Sequence, residues 1–433
     1  MKHPFWTQTL LAAAVALTLS ACNQSATESK ESVENAKHSE QKQPMDYTQK
    51  AKELSQKYLI ADLHVDVPYR LESQLKKGHE HDNVAESTQT GDFDYPRAKS
   101  GGLDAPFMSI YIPANIEKEK GLDGSSTAMA NKLIDIVEAI VKENPEKYAL
   151  AYSCSDLQKN FDKGLISLPM GMENGSPIEG DLANLEHFYK RGIRYITLSH
   201  SLSNHISDSS YDPERPAGGL TDFGKQLVTE MNKMGIMVDV SHISDEAFFD
   251  VMEISKAPVI ASHSSARHFT PGFERNMSDD MIKKLAENDG VIFINFGSTF
   301  VSQTSIENWN LFKQARESFI KEHQLKDDDP KVAEFTKDYR AQHPFQFANL
   351  DIVLDHFDHV VNIAGIEHVG IGSDYDGVGD SLPEGLKDVA TYPNLIKGLL
   401  ERGYNEQDIE KILSGNLLRV WSKVEKLSAD KEM

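Results

Sequence analysis

From residue 47 onward the chain alternates between two hydrophobic patterns. Runs that are apolar at nearly every position stand at 58–64 (YLIADLH), 105–113 (APFMSIYIP), 165–173 (LISLPMGME) and 193–200 (IRYITLSH). They recur at 236–242 (IMVDVSH), 258–263 (PVIASH), 291–296 (VIFINF) and 368–374 (HVGIGSD). Such runs mark strands buried on both faces, as in a parallel sheet. Between them apolar residues return at helical spacing. TAMANKLIDIVEAIVKE separates the second and third runs. In LTDFGKQLVTEMNKMG, Phe223, Leu227, Val228, Met231 and Met234 share one face, Thr221 can cap the first turn and Gly235 can end the helix. SDEAFFDVMEIS and SDDMIKKLAENDG each open on a Ser-Asp cap, and LDIVLDHFDHVVNIAG leads into the last run. Strands alternating with helices in this number predict an α/β fold, a (β/α)8 TIM-like barrel, with a doubly wound open sheet as the alternative. The polar helical stretch 303–346 is too long for one connection and reads as a helical insertion before the last strand. Residues 392–423 add two C-terminal helices.

The first residues follow neither pattern. Lys2 precedes an apolar run from Leu10 to Leu19 that is too short for an ordinary membrane span. It ends in LSAC, which resembles a bacterial lipoprotein signal whose cysteine becomes the lipidated first residue; an ordinary secretory signal with an incidental cysteine is the alternative. The expectation is a signal peptide over 1–21, lipidation of Cys22, a solvated tether over 22–46 and one catalytic body over 47–425. The tether reading rests on a stretch with no aromatic or branched aliphatic residue except Val33. Asn23 after Cys22, where an inner-membrane retention signal carries Asp, points to the outer membrane of a bacterial envelope. If Cys22 carries lipid, Cys154 has no partner for a disulfide. A chain of 433 residues can bury a large core, and its net charge of -22 offers no basic field for nucleic acid.

Six of the apolar runs finish on residues of metal or acid–base chemistry: His64 and Asp66, Glu173, His200, His242, His263 and Asp374. A lone histidine at a strand end more often serves a structural hydrogen bond. In a barrel, however, all strand carboxyl ends gather at one face, where such folds keep their sites. Imidazole and carboxylate without thiol suit zinc, with Mn, Co or Fe as substitutes. The set is too large for one catalytic ion with an open position but suits two ions sharing a carboxylate bridge, for which Glu173 has two oxygens.

DLHVDVP, MENG, YITLSHS, GLTDFGKQLVTEMNKMGIMVDVSH, APVIASHSSAR, RNMSDDMIKKLAENDGVIFINF, VGIGSDYDGV and the tail over 392–421 resemble the membrane (renal-type) dipeptidases, in the same order along residues 58–421. The resemblance implies a dinuclear zinc peptidase on an amidohydrolase-like barrel that hydrolyses dipeptides, including those with a D residue second, through a hydroxide held between two Zn2+ ions. It implies His64 and Asp66 on one ion, His242 and His263 on the other, and Glu173 bridging. It further implies His200 as the residue that binds substrate and stabilises the oxyanion, Arg275 as the grip on the substrate carboxylate, and Asp374 as the acid–base residue. A homodimer is expected from the same resemblance. Two alternatives stay open: an amidohydrolase or lactonase on the same barrel, and a lipoprotein that binds a small molecule without turnover.

Other tempting residues read more simply. His79 to Asp82 (HEHD) lie in a polar loop. His356 and His359 flank a helical packing face. Asp376 looks like turn chemistry, with support of the neighbouring Asp374 as the alternative; Asn416 matches a motif of the dipeptidases or caps the last helix; and HSSAR lacks the G-x-S-x-G elbow of a serine hydrolase.

Overall fold

The computed structural model describes residues 46–429. The signal segment, Cys22 and all but the last residue of the tether lie outside the described residues. Eight parallel strands form one sheet in sequence order: β1 (Ile60–Val65), β2 (Leu103–Tyr111), β3 (Met170–Glu173), β4 (Ile193–Thr197), β5 (Met237–Asp239), β6 (Ile260–Ser264), β7 (Val291–Ile294) and β8 (Val369–Ile371). The sheet closes on itself just past β8. There the Asp374 N–H donates to the His64 carbonyl at 3.1 Å and the Asp66 N–H to the Tyr375 carbonyl at 2.9 Å. The fold is a (β/α)8 barrel.

Alternate residues of the strands serve two cores. Ile60, Met108, Ile110 and Ile196 pack outward against the helices. Leu59, Ala61, Leu63, Ala105, Phe107, Tyr195, Met237, Ile260, Val291 and Phe293 fill the interior. Leu417, Val420, Trp421 and Val424 of the last helix join this inner cluster and plug the barrel at the strands' amino ends. The opposite mouth is left to polar residues.

The helices begin and end where the sequence marks them. The Thr221 side chain accepts from the Gly224 N–H at the head of Asp222–Met234, and Gly235 ends that helix at φ 82°. Ser244 and Ser278 cap Asp245–Ile254 and Asp279–Glu287 in the same way. The insertion is a helical pair, Gln303–His323 and Pro330–Gln342, joined along an aromatic seam in which Phe319 stacks on Phe335 at 4.4 Å.

Three expectations need correcting. The run 165–173 is two strands, because Pro169 has no N–H to continue a ladder; Ile166–Leu168 pairs with Tyr148–Leu150 in a small side sheet and only Met170–Glu173 enters the barrel. The run 236–242 stops at Asp239, whose carboxylate takes the N–H groups of Ser241 and Ser262 in place of a strand neighbour. Asn416 does not cap the last helix: its amide donates to the carbonyls of Ile366 and Val369 at 2.7 and 2.8 Å, tying that helix to β8. The last helix spans Asn416–Ala429. Among the described residues no helix is long and apolar enough to cross a membrane.

Candidate metal centre

The barrel mouth collects every residue that the strand ends nominated. His64 comes from β1, Glu173 ends β3, His263 lies in β6, and His200, His242 and Asp374 follow β4, β5 and β8. Glu173 sits at the centre. Its Oε2 lies 3.3 Å from His64 Nε2. Its Oε1 lies 3.2 Å from His242 Nε2, 3.4 Å from His263 Nε2 and 3.4 Å from His200 Nε2. Asp66 Oδ2 is 3.4 Å from His64 Nε2, and the Nε2 atoms of His242 and His263 are 2.8 Å apart. The atoms group as His64, Glu173 and His263; as Glu173, His200 and His242; and as His64, Asp66 and Asp374.

These residues fit metal ions. Imidazole nitrogens from different strands converge on one carboxylate whose two oxygens face different partners, and the buried His64 Nε2 has no hydrogen-bond partner. Nitrogen and oxygen ligands at such mutual spacing suit zinc and its neighbours. Asp66, the residue preceding the helix Val67–Lys76, makes no capping bond, so its carboxylate stays free for the site.

Local irregularity aims these side chains. The β1–β2 pairing shifts register between Asp62 and Val65, where Asp62 Oδ1 takes the His64 N–H at 3.1 Å. Such bulges re-aim side chains beside active sites. His242 and Asp374 adopt left-handed backbone at φ 72° and 65°, as does Asn174 next to Glu173. Non-glycine residues in that region are held there by their surroundings. Gly377 leaves room for two carboxylates, since a Cβ there would stand 2.1 Å from Asp374 Oδ1 and 2.2 Å from Asp66 Oδ2.

A layer of residues that the sequence reading missed holds the inner ones. His64 Nδ1 meets the Tyr195 hydroxyl at 2.9 Å, and that hydroxyl donates to the Leu63 carbonyl at 3.0 Å. His64 Nδ1–H is therefore the donor and the Nε2 lone pair faces Glu173. His263 Nδ1 is held likewise by Ser262 Oγ at 2.7 Å, and that hydroxyl donates to Asp239 at 2.6 Å. Ser109 donates to Glu173 Oε2 at 3.2 Å and Asn295 to Asp374 Oδ2 at 2.7 Å. Partners on the far ring nitrogen fix tautomer and orientation in metal-binding histidines.

The electrostatics follow from burial and crowding. Burial alone would raise Glu173, yet His64 and His200, with bonds from His242 and His263, hold it well below the ordinary carboxylate value. Burial works against a charged His64, but Tyr195, Glu173 and Asp66 raise it well above the usual imidazole value. A field that draws a proton to Nε2 draws a metal cation as well. His242 and His263 are pushed well below, by burial first, then by Arg275 for the former and by His64 and Arg275 for the latter. Burial pushes Asp374 up to about 7, against the pull of His64 and with help from Asp66 and Glu173.

Arg275 lies deeper than a rim residue. Its guanidinium donates to Ser264 Oγ and the His263 carbonyl, both at 2.7 Å, and lies 3.0 Å from His242 Nε2, with Nε unpartnered. The remaining residues fall elsewhere. Asp82 pairs with Arg70 at 2.9 Å, away from the mouth. His356 is a buried clamp that accepts from the Ala266 N–H and lies 3.0 Å from the Val301 carbonyl. His359 bonds Asp279 at 2.8 Å. Asp376 is more than a turn residue: it accepts from the Asp92 N–H at 2.6 Å and faces Arg70 Nε at 3.0 Å, bracing the loop behind Asp374.

Residues 48–433 match the family model of the membrane dipeptidases, peptidase family M19. The chain belongs to that family. It is 32% identical to Dipeptidase 3 of Mus musculus over 378 residues, which is 86% of this chain and 66% of the mouse protein, just under two thirds of its length. Among solved structures it is similar to the probable dipeptidase PvdM from Pseudomonas aeruginosa, at 27% identity and a TM-score of 0.76 over 89% of this chain and 100% of that one. A metallo peptidase from Rhodobacter sphaeroides, liganded with a phosphinate mimic of the dipeptide L-Ala-D-Ala, shares the fold at 24% identity and a TM-score of 0.68, over 85% and 99% of the two chains.

Proposed function

We propose that this member of the membrane dipeptidase family hydrolyses dipeptides, including L-D dipeptides, with two zinc ions per chain, on a body tethered to a bacterial outer membrane through lipid on Cys22. The observation that carries the catalytic part is Glu173, buried with each oxygen turned to different imidazole nitrogens. His64 and Asp66 would hold one ion, His242 and His263 the other, and Glu173 both. When bound, the ions supply Lewis acidity and bring water towards a neutral pKa. The chain's own residues do the rest. Asp374, held by Asn295 and raised to about 7, is matched to take a proton from the attacking water and deliver it to the leaving nitrogen. Burial lowers His200, which keeps it a neutral donor for the carbonyl oxygen as that atom gains charge. Arg275 supplies a fixed guanidinium for the free carboxylate and so favours short substrates.

A panel of L-L and L-D dipeptides, their C-terminal amides and a simple lactone tests this reading. Release of free amino acids from the dipeptides alone supports it. Turnover confined to the lactone or the amides would replace it with another hydrolase on the same barrel.

A further inference from the structure

A second group of metal-type ligands lies outside the barrel mouth. His268 sits in the short turn Arg267–Phe269 after β6, Asp279 opens the helix Asp279–Glu287, and His359 lies on the helix Leu350–Ala364. One nitrogen from each histidine and one Asp279 oxygen all lie within 4.8 Å of one another. His359 Nε2 and Asp279 Oδ1 are already 2.8 Å apart, and the His268 ring stacks on the His359 ring with centroids 4.3 Å apart.

The backbone beneath these side chains is fixed from three directions. The Arg267 N–H donates to the Met277 carbonyl at 2.8 Å and the Met277 N–H to the Ser265 carbonyl at 2.9 Å, which sets the His268 turn beside Asp279. His356, one turn before His359, takes the Ala266 N–H at 3.0 Å and so pins the same turn to the third element. Ser278 caps the Asp279 helix, so the Asp279 carboxylate is not taken up by the helix's own N–H groups.

We propose that His268, Asp279 and His359 bind a divalent transition-metal ion at a site separate from the barrel mouth. Two imidazoles and one carboxylate, with water completing the shell, are the ligands of zinc and its borderline neighbours. Ligand atoms round a tetrahedral zinc stand roughly 3.3 Å apart, so a small rotation of the exposed His268 brings the set into place. A plain His359–Asp279 ion pair accounts for two of the residues and leaves His268 with ring contacts alone. The position gives the ion a consequence. The turn it would staple belongs to the segment that leads from His263 to Arg275, so occupancy would stiffen the approach to the substrate grip. The inference is independent of the dipeptidase reading.

The test is equilibrium dialysis of the full-length protein and its His268→Ala and His359→Ala variants against Zn2+ in the micromolar range. The expected result is one zinc per chain fewer in either variant than in the wild type, with the zinc of the barrel mouth retained. Zinc should also slow amide exchange over 266–270 in the wild type and not in His268→Ala, whose exposed side chain can be removed without disturbing the fold. Equal zinc content in all three proteins would overturn the site, as would zinc-independent exchange in that segment. Loss of the extra zinc in a protein with no dipeptidase activity would overturn the functional reading and leave this site standing.

Discussion

Tyr195→Phe removes one oxygen from the middle of the barrel and separates metal affinity from packing. The hydroxyl bridges His64 Nδ1 at 2.9 Å and the Leu63 carbonyl at 3.0 Å, and both residues are fully buried. The Phe ring keeps its place over Gly171 and its stack with Phe107 at 5.7 Å, so no cavity beyond the lost oxygen opens. Two buried polar groups lose their partner, which costs about 1–3 kcal/mol for each. The imidazole also becomes free to turn or to change tautomer, which withdraws the Nε2 lone pair from Glu173. Loss of such an outer partner lowers metal affinity about 10–100-fold. Zinc affinity measured by competition with a chromophoric chelator checks this, alongside urea unfolding of the metal-free protein. The expected outcome is a stability loss of about 2–6 kcal/mol with weaker zinc binding at the His64 side. Destabilisation with wild-type zinc affinity would refute the idea that Tyr195 orients His64.

Three further outcomes follow from the same structure. Burial raises Asp104, on β2, from 3.8 to about 7, so the folded protein holds a proton there that the unfolded chain has released; stability is full below 3.8 and falls as the pH climbs to about 7. Asp104→Asn keeps an acceptor for the Ile60 N–H and removes the charge, so unfolding above pH 7 should cost more than in wild type by up to about 4 kcal/mol, with no difference near pH 3; a difference independent of pH would contradict the cause. Gly171→Ala would place a Cβ 1.9 Å from the Tyr195 ring and should destabilise by about 1–3 kcal/mol or more while weakening zinc, measurable by thermal unfolding and by the same chelator competition. Arg275→Lys cannot reach Ser264, the His263 carbonyl and a substrate at once; kcat/KM on dipeptides should fall about 10–100-fold against little change on dipeptide amides, whereas equal losses on both would make Arg275 structural.

Much of this architecture is legible in the sequence because it is local. Near-continuous apolar runs mark strands buried on both faces, and Thr221, Ser244 and Ser278 mark the starts of the amphipathic runs that follow them. The convergence of His64, Asp66, Glu173, His200, His242, His263 and Asp374 is legible for a topological reason: parallel strands in one barrel bring all their carboxyl ends together. Pro169 was a visible breaker inside an apolar run, and its missing N–H divides the strand there. What the sequence hid is the layer behind the site. Tyr195 reads as an ordinary strand residue until Leu63 and His64 are placed against it. Asp62 and Asp239 read as stray polar positions. In the structure Asp62 takes N–H groups from His64 and Ser373, and Asp239 takes bonds from Thr197 and Ser262. Apart from His64, which neighbours Asp62 on β1, these partners lie far along the chain, so no spacing announces them. The inward fold of Arg275 onto His242 has the same origin, since those residues are 33 apart in sequence.

The central claim is that residues from separate strand ends form one hydrolytic metal pair around Glu173. Its most direct test is to strip the full-length protein with chelator and add zinc back while following release of free amino acids from a dipeptide. The account predicts no turnover in the stripped protein, recovery that saturates as two zinc ions bind at the mouth, and no recovery in Glu173→Gln. Full turnover in the stripped protein, or recovery in Glu173→Gln at the same zinc concentration, would contradict it.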